Sequence, residues 1–323
     1  MRASRTLAAV VAGAALTAAS VTAVTVLTAS AGVTRPVQAG TVQARTVPAA
    51  ALLPVPPPVR YVALGDSYAA GIGAADDTAA QGGCARSADA YPEQWAAHHA
   101  HASFVSAACD GATTAGVLSG QVQALSARTT LVSLTVGGND AGFSHVMEAC
   151  VLQFWDSACQ NAISAADAFI ARTLPGRLDA TLQAIRARAP AANVVVVGYP
   201  DLYDLSQSPG CLGLSTAKRT ALDQGADALD RALSAAAARN GAVFADVRGD
   251  FAGHEICDSS RWLYPVTFPL GDSYHPTTAG QELGYLAAFA AAAGCPVPAR
   301  GRPPGNPPEP AATPALVPAV TPD

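Results

Sequence analysis

The sequence predicts an α/β domain in which a parallel sheet is sandwiched between helices, and two observations lead there. Short Val-rich apolar runs alternate repeatedly with long Ala-rich amphipathic stretches, the pattern of strand–helix–strand units. The run Val194-Val195-Val196-Val197 shows no polar alternation, as a strand covered on both faces requires. The strand candidates are 60–64, 103–107, 131–136, 193–198 and 243–247. Helical patterns occupy 91–98, 114–127, 162–189 (interrupted at Pro175), 215–240 and 277–293. In such sheets ligands sit beyond the carboxyl ends of the strands. Three polar segments fall there: Ser67 after the first strand, Cys109-Asp110-Gly111 after the second and Gly137-Gly138-Asn139-Asp140 after the third.

The chain opens like an exported protein. Arg2 and Arg5 precede an apolar, Ala-rich stretch over 7–28, and Ala29-Ser30-Ala31 is an A-x-A cleavage signal, so residues 1–31 read as a cleaved signal peptide. The stretch is long enough for an anchor, but its Ala and Thr content makes it only mildly hydrophobic. Residues 32–58 form a linker ending in Pro54-Val55-Pro56-Pro57-Pro58, and 295–323 is a Pro-rich tail; both compositions bury too little apolar surface to offset ordering, so both are expected to be disordered. Between them, 59–294 has the size of one domain.

A net charge of −5 excludes a dominant basic footprint, and with it nucleic acid as a partner. Seven cysteines in an exported chain read first as disulfides, and no C-x-x-C pair supports a zinc site. Sequence leaves the connectivity open. Pairing neighbours in order closes the smallest loops, giving Cys84–Cys109, Cys150–Cys159 and Cys211–Cys257 with Cys295 left over.

Gly-Asp-Ser-Tyr occurs twice, as Gly65-Asp66-Ser67-Tyr68 and Gly271-Asp272-Ser273-Tyr274, the second followed by His275-Pro276. Together the copies hold a hydroxyl, a carboxylate and an imidazole, the groups that make a serine nucleophilic at neutral pH. In the first copy an apolar strand delivers Ser67 to a loop of small residues, Ala69-Ala70-Gly71-Ile72-Gly73. In the second the useful pair is Asp272 and His275, one turn apart, with Ser273 a spacer. Each piece alone has a plainer reading: a turn or cap for Ser67, a strand-ending turn for 137–140, a helix cap for Asp272.

In their order and setting the four blocks resemble the SGNH, or GDSL-type, hydrolases, specifically the secreted actinobacterial lipases and esterases, from Val59 to about Gly294. The blocks are Gly65-Asp66-Ser67-Tyr68, Asp110-Gly111-Ala112-Thr113, Gly137-Gly138-Asn139-Asp140 and Asp272-Ser273-Tyr274-His275-Pro276. The resemblance implies a flavodoxin-like three-layer sandwich with five parallel strands and hydrolysis of acyl esters without a cofactor; a monomer acting on an acyl-ester or lipid substrate, with no metal and no obligate protein partner, is expected. It implies Ser67 as nucleophile, His275 as base and Asp272 as its orienting carboxylate. It gives the oxyanion hole to the N–H groups of Ser67 and Gly111 and the side-chain amide of Asn139. Similar three-disulfide lipases support the cysteine pairing above. In some relatives a backbone carbonyl orients the histidine instead. The alternatives are a carbohydrate acetylesterase and a non-catalytic cell-envelope binding protein of the same fold.

Other motifs fare worse. Ala69 stands where a G-x-S-x-G elbow needs glycine, and Gly71-x-Gly73 lacks both a dinucleotide fingerprint and a P-loop lysine. His98-His99-Ala100-His101 reads as a helix C-terminus, not a metal site. Asp76-Asp77 reads as a polar loop. Asp223, Asp227 and Asp230 read as a solvated face paired with Arg219 and Arg231. Trp95, Trp155 and Trp262 are left between core and acyl groove.

Overall fold

A computed structural model describes residues 58–75, 83–153, 155–206 and 214–294. Strands β1 (Arg60–Gly65), β2 (Ser103–Ser106), β3 (Leu131–Thr135), β4 (Asn193–Val197) and β5 (Val243–Ala245) form one five-stranded sheet, ordered β2-β1-β3-β4-β5. Every neighbouring pair is parallel, so the predicted flavodoxin-like sandwich is present. Each strand starts where the apolar pattern places it; Val194 to Val197 are all buried.

The helices are α1 (Ser67–Ala70), α2 (Tyr91–His98), α3 (Thr114–Ser119), α4 (Phe143–Val151), α5 (Asp156–Arg172), α6 (Leu174–Arg188), α7 (Thr216–Arg239), α8 (Arg248–Phe251) and α9 (Leu286–Ala293). Parallel crossovers are right-handed, so the β1-to-β2 connection lies on one face and the connections running β2 to β3 to β4 to β5 lie on the other. Accordingly α2 packs with α9, while α6 packs with α3 and α7, and α5 packs with α4 and α7. The order reverses at β1, and the crevice between the carboxyl ends of β1 and β3 is where a ligand belongs.

Several expected elements change for local reasons. The helix expected over 114–127 ends at Ser119, and a 3₁₀ turn, Gln121–Ala124, follows Gly120. That turn directs the Gln121 amide at Gly65, donating to its carbonyl at 2.8 Å and accepting from its N–H at 2.7 Å. The stretch expected over 162–189 starts earlier, at Asp156, and breaks between Arg172 and Leu174, which places Pro175 in a first turn where its missing N–H costs nothing. The final helix begins with a π-helical segment, Gly280–Tyr285. Helix α4 was not expected.

The acidic face expected to be solvated is only partly so. Asp227 pairs with Arg231 and Arg248 at the surface, but Asp223, Asp230 and Arg219 are buried. Asp223 accepts from the N–H groups of Leu202 and Tyr203, and Asp230 accepts from that of Tyr199. They face inward because the segment leaving β4 has backbone donors and no strand to receive them.

Cys84–Cys109 and Cys150–Cys159 are bonded as expected. Cys257 is also disulfide-bonded; the expected Cys211–Cys257 pair lies outside the described residues through Cys211. So do the expected signal peptide, nearly all of the expected 32–58 linker, Asp76-Asp77, Cys295 and the tail. Among the described residues no helix is long and apolar enough to cross a membrane.

Candidate active site

β1 delivers the Ser67 turn. Gly65 ends the strand at φ +139°, and a Cβ there would stand 2.3 Å from the Thr135 carbonyl oxygen on β3, so only glycine lets the strands approach this closely. Asp66 then caps α1, its carboxylate accepting from the Tyr68 N–H at 3.0 Å. Ser67 is therefore the first residue of a one-turn helix, buried at its base, not part of the open loop its small neighbours suggested.

His275 arrives from the other end of the chain, and its Nε2 lies 2.8 Å from Ser67 Oγ. With the hydroxyl donating, Nε2 accepts, and a neutral ring carries its proton on Nδ1. The loop before it is braced at both sides. Tyr264 donates its N–H to the His275 carbonyl and accepts from the Tyr274 N–H, at 3.0 and 2.9 Å. Asp272 closes a 3₁₀ turn, Leu270–Asp272, and its carbonyl accepts from the His275 N–H at 3.1 Å. Asp272 thus shares a turn with the imidazole, while Thr277 caps the following helix through its hydroxyl. Ser273 Oγ contacts the backbone of Thr267, which makes it a loop brace.

The three expected oxyanion donors follow the carboxyl ends of β1, β2 and β3. Among the described residues the N–H groups of Ser67 and Gly111 donate to no acceptor. Gly111 sits at φ +69°, and its loop is pinned by the Cys109 N–H on the Gly65 carbonyl and by the Cys84–Cys109 bridge. Asn139 Nδ2 donates to the Ala112 carbonyl at 3.1 Å, joining the amide to that loop.

Sequence reasoning passed over the residues that hold these parts together. Asp140 accepts from the N–H and hydroxyl of Thr114 at 2.8 and 2.6 Å and pairs with Arg177 at 3.3 Å, locking the Asn139 segment to α3. Gln281 is fully buried, donating to the Tyr68 carbonyl and accepting from the Tyr91 N–H. Tyr199 donates its hydroxyl to Asp66 and accepts from the Gly138 N–H. Burial pushes the Asp66 carboxyl up to about 7, with the Tyr199 hydrogen bond opposing the rise. Tyr199 had a legible signal: it follows β4 on the same sheet edge as the motifs.

An apolar groove opens beside Ser67 and Asn139, with about 750 Å³ of empty space counting its mouth. Phe143 and Val146 of α4, Ile163 and Ile170 of α5, and Leu222 and Leu229 of α7 supply walls. No tryptophan lines it: Trp95 and Trp262 are buried elsewhere, and Trp155 is 71% exposed. His99 stacks on Trp95 at the end of α2, with Nδ1 against the Trp95 carbonyl.

Comparison with known proteins gives concordant findings. Residues 63–283 match the model of the GDSL-like Lipase/Acylhydrolase family. Lipase 1 of Streptomyces coelicolor is 50% identical over 227 residues, spanning 70% of this chain and 84% of that protein. The crystal structure of an extracellular lipase from Streptomyces rimosus superposes with a TM-score of 0.70 at 46% identity, covering 72% of this chain and 99% of the other. Phospholipase A1 from Streptomyces albidoflavus gives 0.70 at 47% identity, covering 73% and 99%.

Proposed function

Because the chain belongs to the GDSL-like lipase/acylhydrolase family and is a carboxylic ester hydrolase, we propose that it cleaves acyl esters of lipids outside the cell, with Ser67 as nucleophile, His275 as general base and Asp272 orienting the imidazole. The observation that carries this reading is the 2.8 Å contact between Ser67 Oγ and His275 Nε2 beside an apolar groove. Nε2 takes the hydroxyl proton as Oγ attacks the ester carbonyl, and the imidazolium then protonates the leaving alcohol. The oxyanion is received by the N–H groups of Ser67 and Gly111 and by the Asn139 amide, neutral donors already held in place by the backbone around them. Water repeats the sequence on the acyl-enzyme.

The groove supports an acyl chain longer than acetate, since its walls come from three helices and are mostly hydrocarbon. The exposed Phe268 and Leu270, a few residues before His275, suit approach to a lipid aggregate. Export with removal of residues 1–31 completes the proposal, and the enzyme acts as a monomer.

The test is hydrolysis of p-nitrophenyl acetate, butyrate, octanoate and palmitate, with phosphatidylcholine and acetylated xylan alongside and Ser67→Ala as control. A rise in kcat/KM from acetate to the longer esters is expected. Preference for acetate and acetylated xylan would replace this reading with a carbohydrate acetylesterase.

A further inference from the structure

We propose that Tyr199 is a positioning residue that sets the spacing of the oxyanion hole, its hydroxyl bridging the residue before Ser67 and the residue before Asn139. The proposal rests on the catalytic reading above. Tyr199 OH donates to Asp66 Oδ2 and accepts from the Gly138 N–H at 3.3 Å. Asp66 is followed directly by the Ser67 N–H, and Gly138 by Asn139, so one oxygen atom touches both supports of the hole.

The bridge is itself held. The Tyr199 N–H donates to the buried Asp230 at 2.9 Å, and the Tyr199 ring meets Tyr68 edge-on at 5.1 Å. Tyr199 thereby ties the end of β4 to the ends of β1 and β3 across the switch point of the sheet. The β1–β3 pairing reaches the Asp66 N–H, which donates to the Thr135 carbonyl at 2.9 Å, and the Gln121 clamp acts on Gly65, but neither holds the Asp66 carboxylate or reaches Gly138. The donor and acceptor roles are fixed by chemistry: Gly138 N–H can only donate, so the phenolic proton is left for the carboxylate.

Asp66 faces Tyr199 from the segment after β4, the Tyr68 N–H from its own turn and the charge of Asp110 after β2, while the phenols of Tyr68, Tyr91 and Tyr285 complete the ring of titratable neighbours. Burial pushes its carboxyl up to about 7, and the Tyr199 bond opposes the rise. The ionised form is the one that accepts the phenolic proton. As pH falls through that value the bridge weakens, and without the Tyr199 hydroxyl the same transition moves to higher pH.

The experiment measures kcat and KM on p-nitrophenyl butyrate from pH 5 to 9 for wild type, Tyr199→Phe, Asp66→Asn and the double variant, with melting temperature as a folding control. Tyr199→Phe is expected to lower kcat by about 10–100-fold through misplacement of the donors, with KM nearly unchanged and the acid limb of kcat shifted upward. Asp66→Asn replaces one of the two side-chain oxygens by an amide donor; with the remaining oxygen on the Tyr68 N–H the Tyr199 phenol loses its acceptor, so the double variant is expected to lose little more than the worse single one. If Tyr199→Phe does not fold, Asp66→Asn carries the test by its own kcat-against-KM split. A kcat within twofold of wild type, a loss that appears wholly in KM, or losses that multiply in the double variant would overturn the proposal. Ser67→Ala in the same assay separates the two layers: if it stays active the catalytic reading fails, whereas a dead Ser67→Ala beside a fully active Tyr199→Phe removes only the role of Tyr199.

Discussion

The same tetrapeptide, Gly-Asp-Ser-Tyr, is folded in two unlike ways in this chain, and the two copies touch each other. In residues 65–68 the glycine is pressed against β3, the aspartate caps a helical turn and the serine is buried beside an imidazole. In residues 271–274 the glycine is exposed, the aspartate ends a 3₁₀ turn and the serine braces a loop. Tyr68 of the first copy donates to the Tyr274 carbonyl of the second at 2.6 Å. Four residues therefore carry no conformation of their own. An apolar strand before the first copy, and a loop and a histidine around the second, decide what each becomes.

The sharpest way to break this contrast is to truncate the two serines. Ser67→Ala is expected to lower kcat by as much as about 10⁶-fold, as when a nucleophile–base pair acts as a unit, with an unchanged melting temperature. Ser273→Ala should keep most of the activity. The reverse result in an ester assay would exchange the roles of the two copies.

The aspartates come next. Asp272→Asn is expected to reduce kcat by up to about 10⁴-fold if its carboxylate is the acceptor that fixes the His275 tautomer. The check is a kcat comparison with His275→Ala on one short ester; a loss nearer tenfold would assign the orienting role to a backbone carbonyl, and wild-type kcat would leave a Ser67–His275 dyad. Beyond the copies themselves, Asn139→Ala is expected to lower kcat by about 10²–10³-fold with KM little changed, the mark of one lost oxyanion donor. A rise in KM at constant kcat would make Asn139 a substrate-binding residue.

What the sequence made legible follows from what kind of interaction fixes each part. The sheet could be read because burial on both faces writes itself as an unbroken apolar run, as in Val194 to Val197. Ser67, Gly111 and Asn139 could be placed on one sheet edge because their motifs follow such runs, whereas His275 follows no strand and is reached through the resemblance of its block, Asp272 to Pro276. The braces could not. Asp140, Gln281 and Asp230 are ordinary polar residues in local sequence, and Asp230 has helical spacing to Asp223 and Asp227 that suggests solvent. Their burial depends on which backbone groups another segment leaves unpaired, such as the Thr114 and Tyr199 N–H groups, and only the assembled fold supplies those groups.

The smallest expected effect tests the contact between the copies directly. Tyr68 is buried among Tyr199, Tyr285 and His275, and burial together with the nearby Asp66 keeps its phenol far above the ordinary range, so it remains a donor at every working pH. Its acceptor is the carbonyl of Tyr274, a residue held at φ +66°, where a side chain is disfavoured. Tyr68→Phe keeps the ring and removes the donor, leaving a buried carbonyl without that partner. The expected cost is about 1–3 kcal/mol of stability, read as a lower midpoint in denaturant with an unchanged slope. Catalysis should fall only modestly, because the Tyr264 pairing still braces the His275 loop. Tyr264→Phe serves as the comparison, since it removes a phenol for which no hydrogen bond is present among the described residues, and its midpoint should stay within about 0.5 kcal/mol of wild type. Equal midpoints for the two variants would mean that the Tyr68–Tyr274 bond contributes nothing, and that the copies merely lie side by side.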